Sequence, residues 1–270
     1  MTSADNVPPR APSPRPPART PGRRGAFGPT IVVLLVLAGS ATAIAQIWTD
    51  VLWFSQLGYV RVFWTEWLAR IALFAIGFVV MGGIVGLSTA LAYRARRAYV
   101  PVSGPDRNLE VYRQQLAPIR RLVFAAIVAL SGLFMGATLA AQWRTVMLWL
   151  NSESFGTQDP QFGLDVSFFV FTLPFVRLVL SALMWSLSVA LIAALAVHYL
   201  YGAIAITPRF SMARPARVQV AVLGAALSFL GAISLWLDRY SLLVDEGDRF
   251  AGAGYADVNA TMPAKAILAG

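Results

Sequence analysis

Few residues in this chain have side chains that could carry out chemistry. There is one histidine, His198, and there is no cysteine, which excludes disulfide scaffolds, thiolate zinc sites, iron–sulfur clusters and cysteine nucleophiles. No phosphate-binding glycine loop, Ser/His/Asp arrangement or HExxH pattern is present. His198 lies in an apolar run shortly before Arg209. We interpret it as a packed or interfacial histidine, with a proton or ligand contact as the alternative.

Acidic side chains near the end of the chain form a second group with chemical potential. They are Asp238, Asp245, Glu246, Asp248 and Asp257. Carboxylate oxygens are the ligands that Ca²⁺ and Mg²⁺ prefer, but this spacing is not that of an EF-hand loop. We therefore predict a solvated acidic face and no metal site.

The elements that must position these residues are apolar. Hydrophobic residues make up 57% of the chain and charged residues 13%, against roughly 45–50% and about 25% in soluble domains. A bilayer core needs about 20 apolar residues in one helix, and five uncharged runs meet this requirement. The sequence predicts an all-α polytopic transmembrane helical bundle with five complete spans, at residues 27–49, 71–93, 122–143, 178–200 and 218–237.

The positive residues predict the orientation of these spans. Of the 22 Lys and Arg, 15 fall in the N-terminal tail and in the loops after the second and fourth runs. The positive-inside rule then predicts a multi-pass protein of the plasma (inner) membrane with a cytoplasmic N-terminus. The same pattern explains the net charge of +9 without nucleic acid as a partner. We expect the lipid bilayer as partner, with anionic lipid headgroups at the cytoplasmic Arg clusters.

The chain divides into a tail and a membrane domain. Residues 1–24 hold seven prolines and five arginines, a composition typical of a disordered cytoplasmic tail. Residues 25–270 form the predicted transmembrane domain. The motif Ala43-Ile44-Ala45 leaves signal-peptide cleavage open as an alternative for the first run.

Three segments outside the runs predict interfacial helices. The aromatic stretch Asp50–Trp67 suits a short outer amphipathic element, and the periodicity of Leu109 to Ile119 suits an inner one. In the third, Asp165 is placed to cap the apolar run Val166–Val176. Pro174 and Arg177 interrupt that run, which predicts a re-entrant or interfacial helix, with a longer fourth helix as the alternative.

Small residues recur every fourth position inside the runs. The sets are Gly82 and Gly86; Gly132 and Gly136; Ala182, Ser186, Ala190 and Ala194; and Gly224, Ser228 and Ala232. Such residues let helix backbones approach closely in lipid. They predict either a compact bundle or a homo-oligomer.

Four segments together resemble a known family. They are WTDVLWFSQLGYVRVFWTEWLARIALF (Trp48–Phe74), FGTQDPQFGLDVSFFVFTLPF (Phe155–Phe175), LDRYSLLV (Leu237–Val244) and GAGYADVNATMPAKAIL (Gly252–Leu268). The chain resembles the large uncharacterised (UPF-type) multi-span membrane proteins of actinobacteria. The resemblance implies seven N-terminal spans followed by a long extracytoplasmic region, so Lys265 to Gly270 would open a truncated sixth span of an N-terminal fragment. It implies no catalytic residues.

The function predicted is that of a membrane-embedded anchor or scaffold within a larger cell-envelope protein, with an unknown envelope partner. We predict no enzyme activity and no catalytic, cofactor-binding or metal-binding residues. Two alternatives remain. A transporter would lose flux on apolar replacement of Gln142, Ser131 and Thr138, whereas a membrane lipid or sugar transferase would depend on Asp50 and Glu66.

Overall fold

The computed structural model describes residues 27–95, 115, 117–205, 210–244 and 252–270. The predicted tail, most of the predicted inner amphipathic helix and three acidic residues (Asp245, Glu246 and Asp248) lie outside this range. Seven α-helices occupy most of the described part. They are α1 (Phe27–Gln56), α2 (Val60–Ala95), α3 (Arg120–Ala141), α4 (Trp143–Leu150), α5 (Leu173–Leu200), α6 (Arg214–Ser241) and α7 (Met262–Ala269).

Five of these helices (α1, α2, α3, α5 and α6) are long and apolar enough to cross a membrane. This confirms the predicted all-α class and the predicted number of helices long enough to span a membrane. The helices extend beyond most of the predicted runs, because a charged residue such as Asp50 or Arg70 ends an uncharged run without ending the helix. A short antiparallel pair, β1 (Ile204–Ala205) and β2 (Ser211–Met212), lies between α5 and α6.

Apolar side chains cover much of the exposed surface of the helices as well as their buried contacts. Large apolar residues such as Val79, Ile192 and Phe229 are each more than 60% exposed. The buried polar residues are Ser88, Thr89, Ser131, Ser186 and His198. An apolar exterior is compatible with a hydrocarbon surrounding.

The chain forms two compact units, and the boundary lies between Phe63 and Trp64. The described part of the first unit is α1, a tight turn and the first turn of α2. Gly58 has a φ of 76°, a left-handed conformation that glycine adopts without steric cost, and the N–H of Tyr59 donates to the carbonyl of Phe54 at 2.9 Å. A separate amphipathic element over Asp50–Trp67 is therefore a wrong prediction, since these residues complete α1 and begin α2.

In the second unit, α2, α3 and α5 share a core built on Met81, Val85, Met135 and Ala190. The helices α2 and α3 approach closely at glycine. A Cβ added at Gly136 would lie 2.8 Å from the carbonyl oxygen of Phe74. The small residues of α3 therefore serve packing within the chain, the first of the two predicted alternatives. In α6, by contrast, a Cβ at Gly224 would meet nothing within 4 Å.

The fourth membrane-length helix is longer than the re-entrant model predicts. Helical structure runs from Val166 through a π-turn (Phe168–Thr172) into α5 without a break. Pro174 would clash with the carbonyl of residue 170 in a regular α-helix, but a π-turn widens the backbone at this point. The re-entrant helix is therefore a wrong prediction, and the alternative of a longer fourth helix is correct.

A second π-turn (Asp257–Thr261) precedes α7 in the same way, and Pro263 stands where Pro174 stands in α5. The helix α7 packs against α6. It contains eight residues, fewer than the roughly 20 needed to cross a bilayer. The described part of the chain thus adds a short helix and contains no sixth helix of membrane length.

Candidate functional site

His198 lies at the centre of a buried hydrogen-bond network that joins three helices. Its exposure is 0%, and its Nε2 lies 2.9 Å from Oε1 of Gln219 on α6. The Nε2 amide of Gln219 donates to the carbonyl oxygen of Ser88 at 2.9 Å and to its Oγ at 3.1 Å, on α2. The hydroxyl of Ser88 donates in turn to the carbonyl of Ala190 on α5 at 3.0 Å.

The chemistry of these groups assigns each proton in the network. The carbonyl of Ser88 only accepts, so the amide nitrogen of Gln219 must face Ser88 and its oxygen must face the histidine. Because an amide oxygen also only accepts, Nε2 of His198 carries the hydrogen of this bond. The arrangement agrees with the packed histidine predicted from the sequence, and it connects α2, α5 and α6.

A second polar cluster lies where α5 begins and α6 ends. Arg177 on α5 forms an ion pair and hydrogen bond through Nη2 with Oδ1 of Asp238 on α6. The same nitrogen donates to Oγ of Ser241 at 3.0 Å, and Nζ of Lys265 on α7 lies 4.0 Å from the other carboxylate oxygen. Both members of the ion pair are about one third exposed, so its electrostatic stabilisation is partly screened by solvent.

Beside this ion pair lies a cavity of about 420 Å³, which we call the Arg177 cavity. It is lined by Gln142, Thr145, Pro174, Arg177, Leu178, Leu180, Ser181, Met184, Ser234 and Asp238. Gln142 lies between α3 and α4, where its ψ of 20° interrupts the helix. The helix α4 is held against α5 by stacking of Trp149 on Phe175, with ring centroids 3.8 Å apart.

Two members of the predicted acidic face, Asp238 and Asp257, lie in the described part of the chain, and each has its own partners. Asp238 is paired with cations, and the carboxylate of Asp257 accepts from the N–H of Gly254 at 3.0 Å and the hydroxyl of Thr261 at 3.3 Å. Within the part of the chain that the structure describes, no group of three or more His, Cys, Asp and Glu could hold a metal ion.

Of the two carboxylates considered for a transferase, Glu66 forms an ion pair with Arg70 one turn further along α2. Asp50 lies on α1, in the other compact unit. Glu66 is therefore engaged locally, and the absence of enzyme activity stays a prediction.

Asp165 organises the loop that leads into the fourth long helix. Its carboxylate accepts hydrogen bonds from the hydroxyl of Ser154 and from the N–H groups of Phe155, Gly156 and Ser167. The bond from Ser154 is the largest cause, and together these bonds hold the pKa of Asp165 well below its usual range because they stabilise the ionised form. The contact with Ser167 is the capping role predicted from the sequence.

Sequence reasoning missed Ser88, Gln219 and the Arg177 cavity. Gln219 was visible as a polar residue within an apolar run, which was the only available signal. Its partners Ser88 and His198 are 131 and 21 residues away.

These features define an all-α protein with five helices of membrane length, whose buried polar groups join the helices of its second unit. Comparison with known proteins narrows this class. The chain belongs to the uncharacterised protein family UPF0182, whose family model matches residues 27–270.

The relatives are longer proteins. The chain is 45% identical over 261 residues to a UPF0182 protein of Arthrobacter sp. (strain FB24), covering 96% of this chain and 26% of that protein. It is 44% identical to a UPF0182 protein of Kocuria rhizophila, covering 95% of this chain and 26% of that protein. The chain thus spans about a quarter of the length of these curated relatives. No solved structure matches it.

Proposed function

We propose that this chain is the membrane-embedded part of a larger cell-envelope protein, where it anchors and positions an extracytoplasmic region. One observation carries the proposal: five helices of membrane length occur in a chain that matches only 26% of its relatives. About three quarters of each relative therefore lies outside the matched segment and would need to be held at the membrane.

The polar contacts inside the helices favour an anchor over a conduit. The hydroxyl of Ser131 donates to the carbonyl of Val128, and that of Thr138 donates to the carbonyl of Phe134. These groups are satisfied within their own helix. The buried network of His198 is committed to joining helices, which stabilises a fixed bundle.

We place the protein in the plasma membrane with its N-terminus in the cytoplasm, because the arginines gather on the corresponding loops. Arg94 lies in the last turn of α2, and Arg120 begins α3. Beside Arg94 lies a cavity of about 340 Å³ between these helices. A cation at the end of a membrane-length helix suits the headgroup of an anionic lipid, which we propose as a partner on the cytoplasmic side.

The orientation is tested with fusions to a phosphatase that is active only outside the cytoplasm. A fusion at Gln158, in the loop before the fourth long helix, should be active. A phosphatase fusion at Pro105, between α2 and α3, should be inactive. Green fluorescent protein fused at the same two positions should fluoresce at Pro105 and not at Gln158. A reversed pattern, or release of the protein from membranes by alkaline carbonate, would contradict the proposal.

Transport is the second candidate, because the Arg177 cavity has several polar residues between helices. The test is the triple variant Gln142→Leu, Ser131→Ala, Thr138→Val in reconstituted vesicles. If the chain is an anchor, vesicles with the unchanged chain and vesicles with the triple variant should both show the solute flux of protein-free vesicles. Flux above that background that disappears in the triple variant would replace the anchor proposal with transport.

We also propose that the chain has no enzyme activity. The variants Asp50→Asn and Glu66→Gln should leave membrane insertion unchanged and should not alter transfer of sugar to a lipid-linked acceptor. Loss of a measurable transfer in either variant would contradict this.

A further inference from the structure

The Arg177 cavity has the properties of a binding site, and neither the family nor the proposed anchor function gives it a role. Its volume of about 420 Å³ lies within the range of roughly 300–1,000 Å³ typical of small-molecule sites. The helices α5 and α6 and the start of α4, with Gln142 at the junction before it, supply its walls. Polar groups from each of them converge on it.

The charged pair in the wall favours a neutral ligand. Arg177 and Asp238 form an ion pair, so their charges largely cancel within the cavity. A bare anion would meet the Asp238 carboxylate and a bare cation would meet the guanidinium, and in each case repulsion opposes binding. The nearby Lys265 contacts the carboxylate at 4.0 Å and does not line the cavity.

The uncharged polar groups offer both donors and acceptors. The hydroxyl of Ser181 donates to the carbonyl of its own helix at Leu178, and that of Thr145 donates to Oε1 of Gln142 at 3.3 Å. Their oxygen lone pairs remain as acceptors, and the Gln142 amide nitrogen remains as a donor. In the same wall, Nε of Arg177 is buried and has no hydrogen-bond partner among the described residues.

A ligand that matches this mixture of donors and acceptors must itself both donate and accept hydrogen bonds at neighbouring atoms. Hydroxyl groups have this property, whereas phosphate oxygens mainly accept and ammonium groups only donate. The apolar side chains of Leu178 and Met184 complete the wall, and they suit the C–H face of a sugar ring. We propose that the Arg177 cavity binds a neutral, hydroxyl-rich group of the sugar or polyol class.

Native mass spectrometry of the whole chain, in a detergent without sugar headgroups, tests this proposal. The probes are a monoglucosyl diacylglycerol, phosphatidylglycerol with the same acyl chains, free glucose and inorganic phosphate. We expect a saturable complex with the glucolipid at a Kd at least tenfold below that of phosphatidylglycerol. Comparable binding of glucose alone would also support the proposal and would identify free sugar as the source, whereas weak binding of glucose would identify the lipid.

Matched serine variants locate the binding. The double variant Ser181→Ala, Ser234→Ala removes two hydroxyls from the wall and should raise the Kd for the glucolipid at least tenfold. The control is Ser188→Ala on α5, because its hydroxyl also donates to a carbonyl of its own helix, at Met184, and it does not line the cavity. Its Kd should be unchanged.

Three results would overturn the proposal: no saturable glucolipid complex, a preference for phosphatidylglycerol or phosphate, or equal affinity of the double variant and the control. Unfolding temperatures of all variants separate loss of binding from loss of folding. If the double variant does not fold, Gln142→Leu at the exposed junction of α3 and α4 takes its place with the same expected result. These outcomes are independent of the anchor proposal, which the reporter fusions test.

Discussion

Replacing Gln219 by leucine tests whether the His198 network holds α2, α5 and α6 together. The change removes three hydrogen bonds, two to Ser88 and one to His198. A side-chain hydrogen bond between membrane helices contributes about 0.6 kcal/mol on average, so the three together contribute roughly 2 kcal/mol. The loss leaves the fully buried ring of His198 without this acceptor.

The assay is reversible unfolding of the purified chain in mixed micelles with increasing dodecyl sulfate, followed by tryptophan fluorescence. A loss of about 2 kcal/mol changes the unfolding constant by roughly 30-fold. The matched control is Gln142→Leu, the same substitution at an exposed residue whose one side-chain hydrogen bond, at 3.3 Å, stays within its own turn. It should change the free energy of unfolding by less than about 0.5 kcal/mol.

A double-mutant cycle separates the network from the size of the leucine. Ser88→Ala removes the hydroxyl that receives one of the Gln219 hydrogen bonds, so the two substitutions should cost less together than the sum of their separate effects. If Gln219→Leu is no more destabilising than Gln142→Leu, or if the effects of Gln219→Leu and Ser88→Ala simply add, the network does not stabilise the helix contacts as argued.

Three further predictions concern other contacts. Gly136→Ala places a Cβ 2.8 Å from the carbonyl oxygen of Phe74 and should lower the free energy of unfolding by about 1–3 kcal/mol. The control is Gly83→Ala, whose Cβ would meet nothing within 4 Å and which should not lower it. Equal effects would contradict close packing of α2 on α3. The pKa of Asp165 is lowered in the folded state, so its carboxylate should protect the Gly156 amide fully above the ordinary Asp pKa of about 3.9, and this protection should decline as the pH falls below that value. Hydrogen exchange measures the protection. Protection that falls as the pH rises from that value toward neutrality would contradict the prediction. Asp238→Asn should lower the free energy of unfolding by less than about 1 kcal/mol, because the ion pair between Arg177 and Asp238 is partly exposed. Unfolding in dodecyl sulfate measures this loss, and a larger loss would mean that the ion pair is shielded from solvent.

The sequence predicts the number of long helices because one property, the free energy of moving each side chain into hydrocarbon, can be read directly from the residue types. It predicts their ends poorly. An uncharged run stops at Arg177, but the helix does not, because arginine is a good helix former and finds a partner in Asp238.

The site was less accessible to sequence reasoning. His198 was recognisable from its rarity and from its place in an apolar run. Its partners were not, because hydrogen bonds between α2, α5 and α6 depend on how the helices pack. Periodicity describes one helix at a time, and only the rotation of the helices against one another brings Gln219 to Ser88.

The two π-turns before Pro174 and Pro263 change the direction in which side chains point around the helix axis. Each holds one residue beyond regular α-winding, and one residue corresponds to a rotation of about 100°. The side chains that precede each proline are therefore turned by that angle relative to those that follow it. Deleting a single residue from Phe168–Thr172 would restore uniform winding, swing Phe169 from its buried position and press the Pro174 ring against the preceding turn. The π-turn Phe168–Thr172 thus rotates the side chains before it relative to those after it, so that one helix presents different faces to the Asp165 loop and to α6.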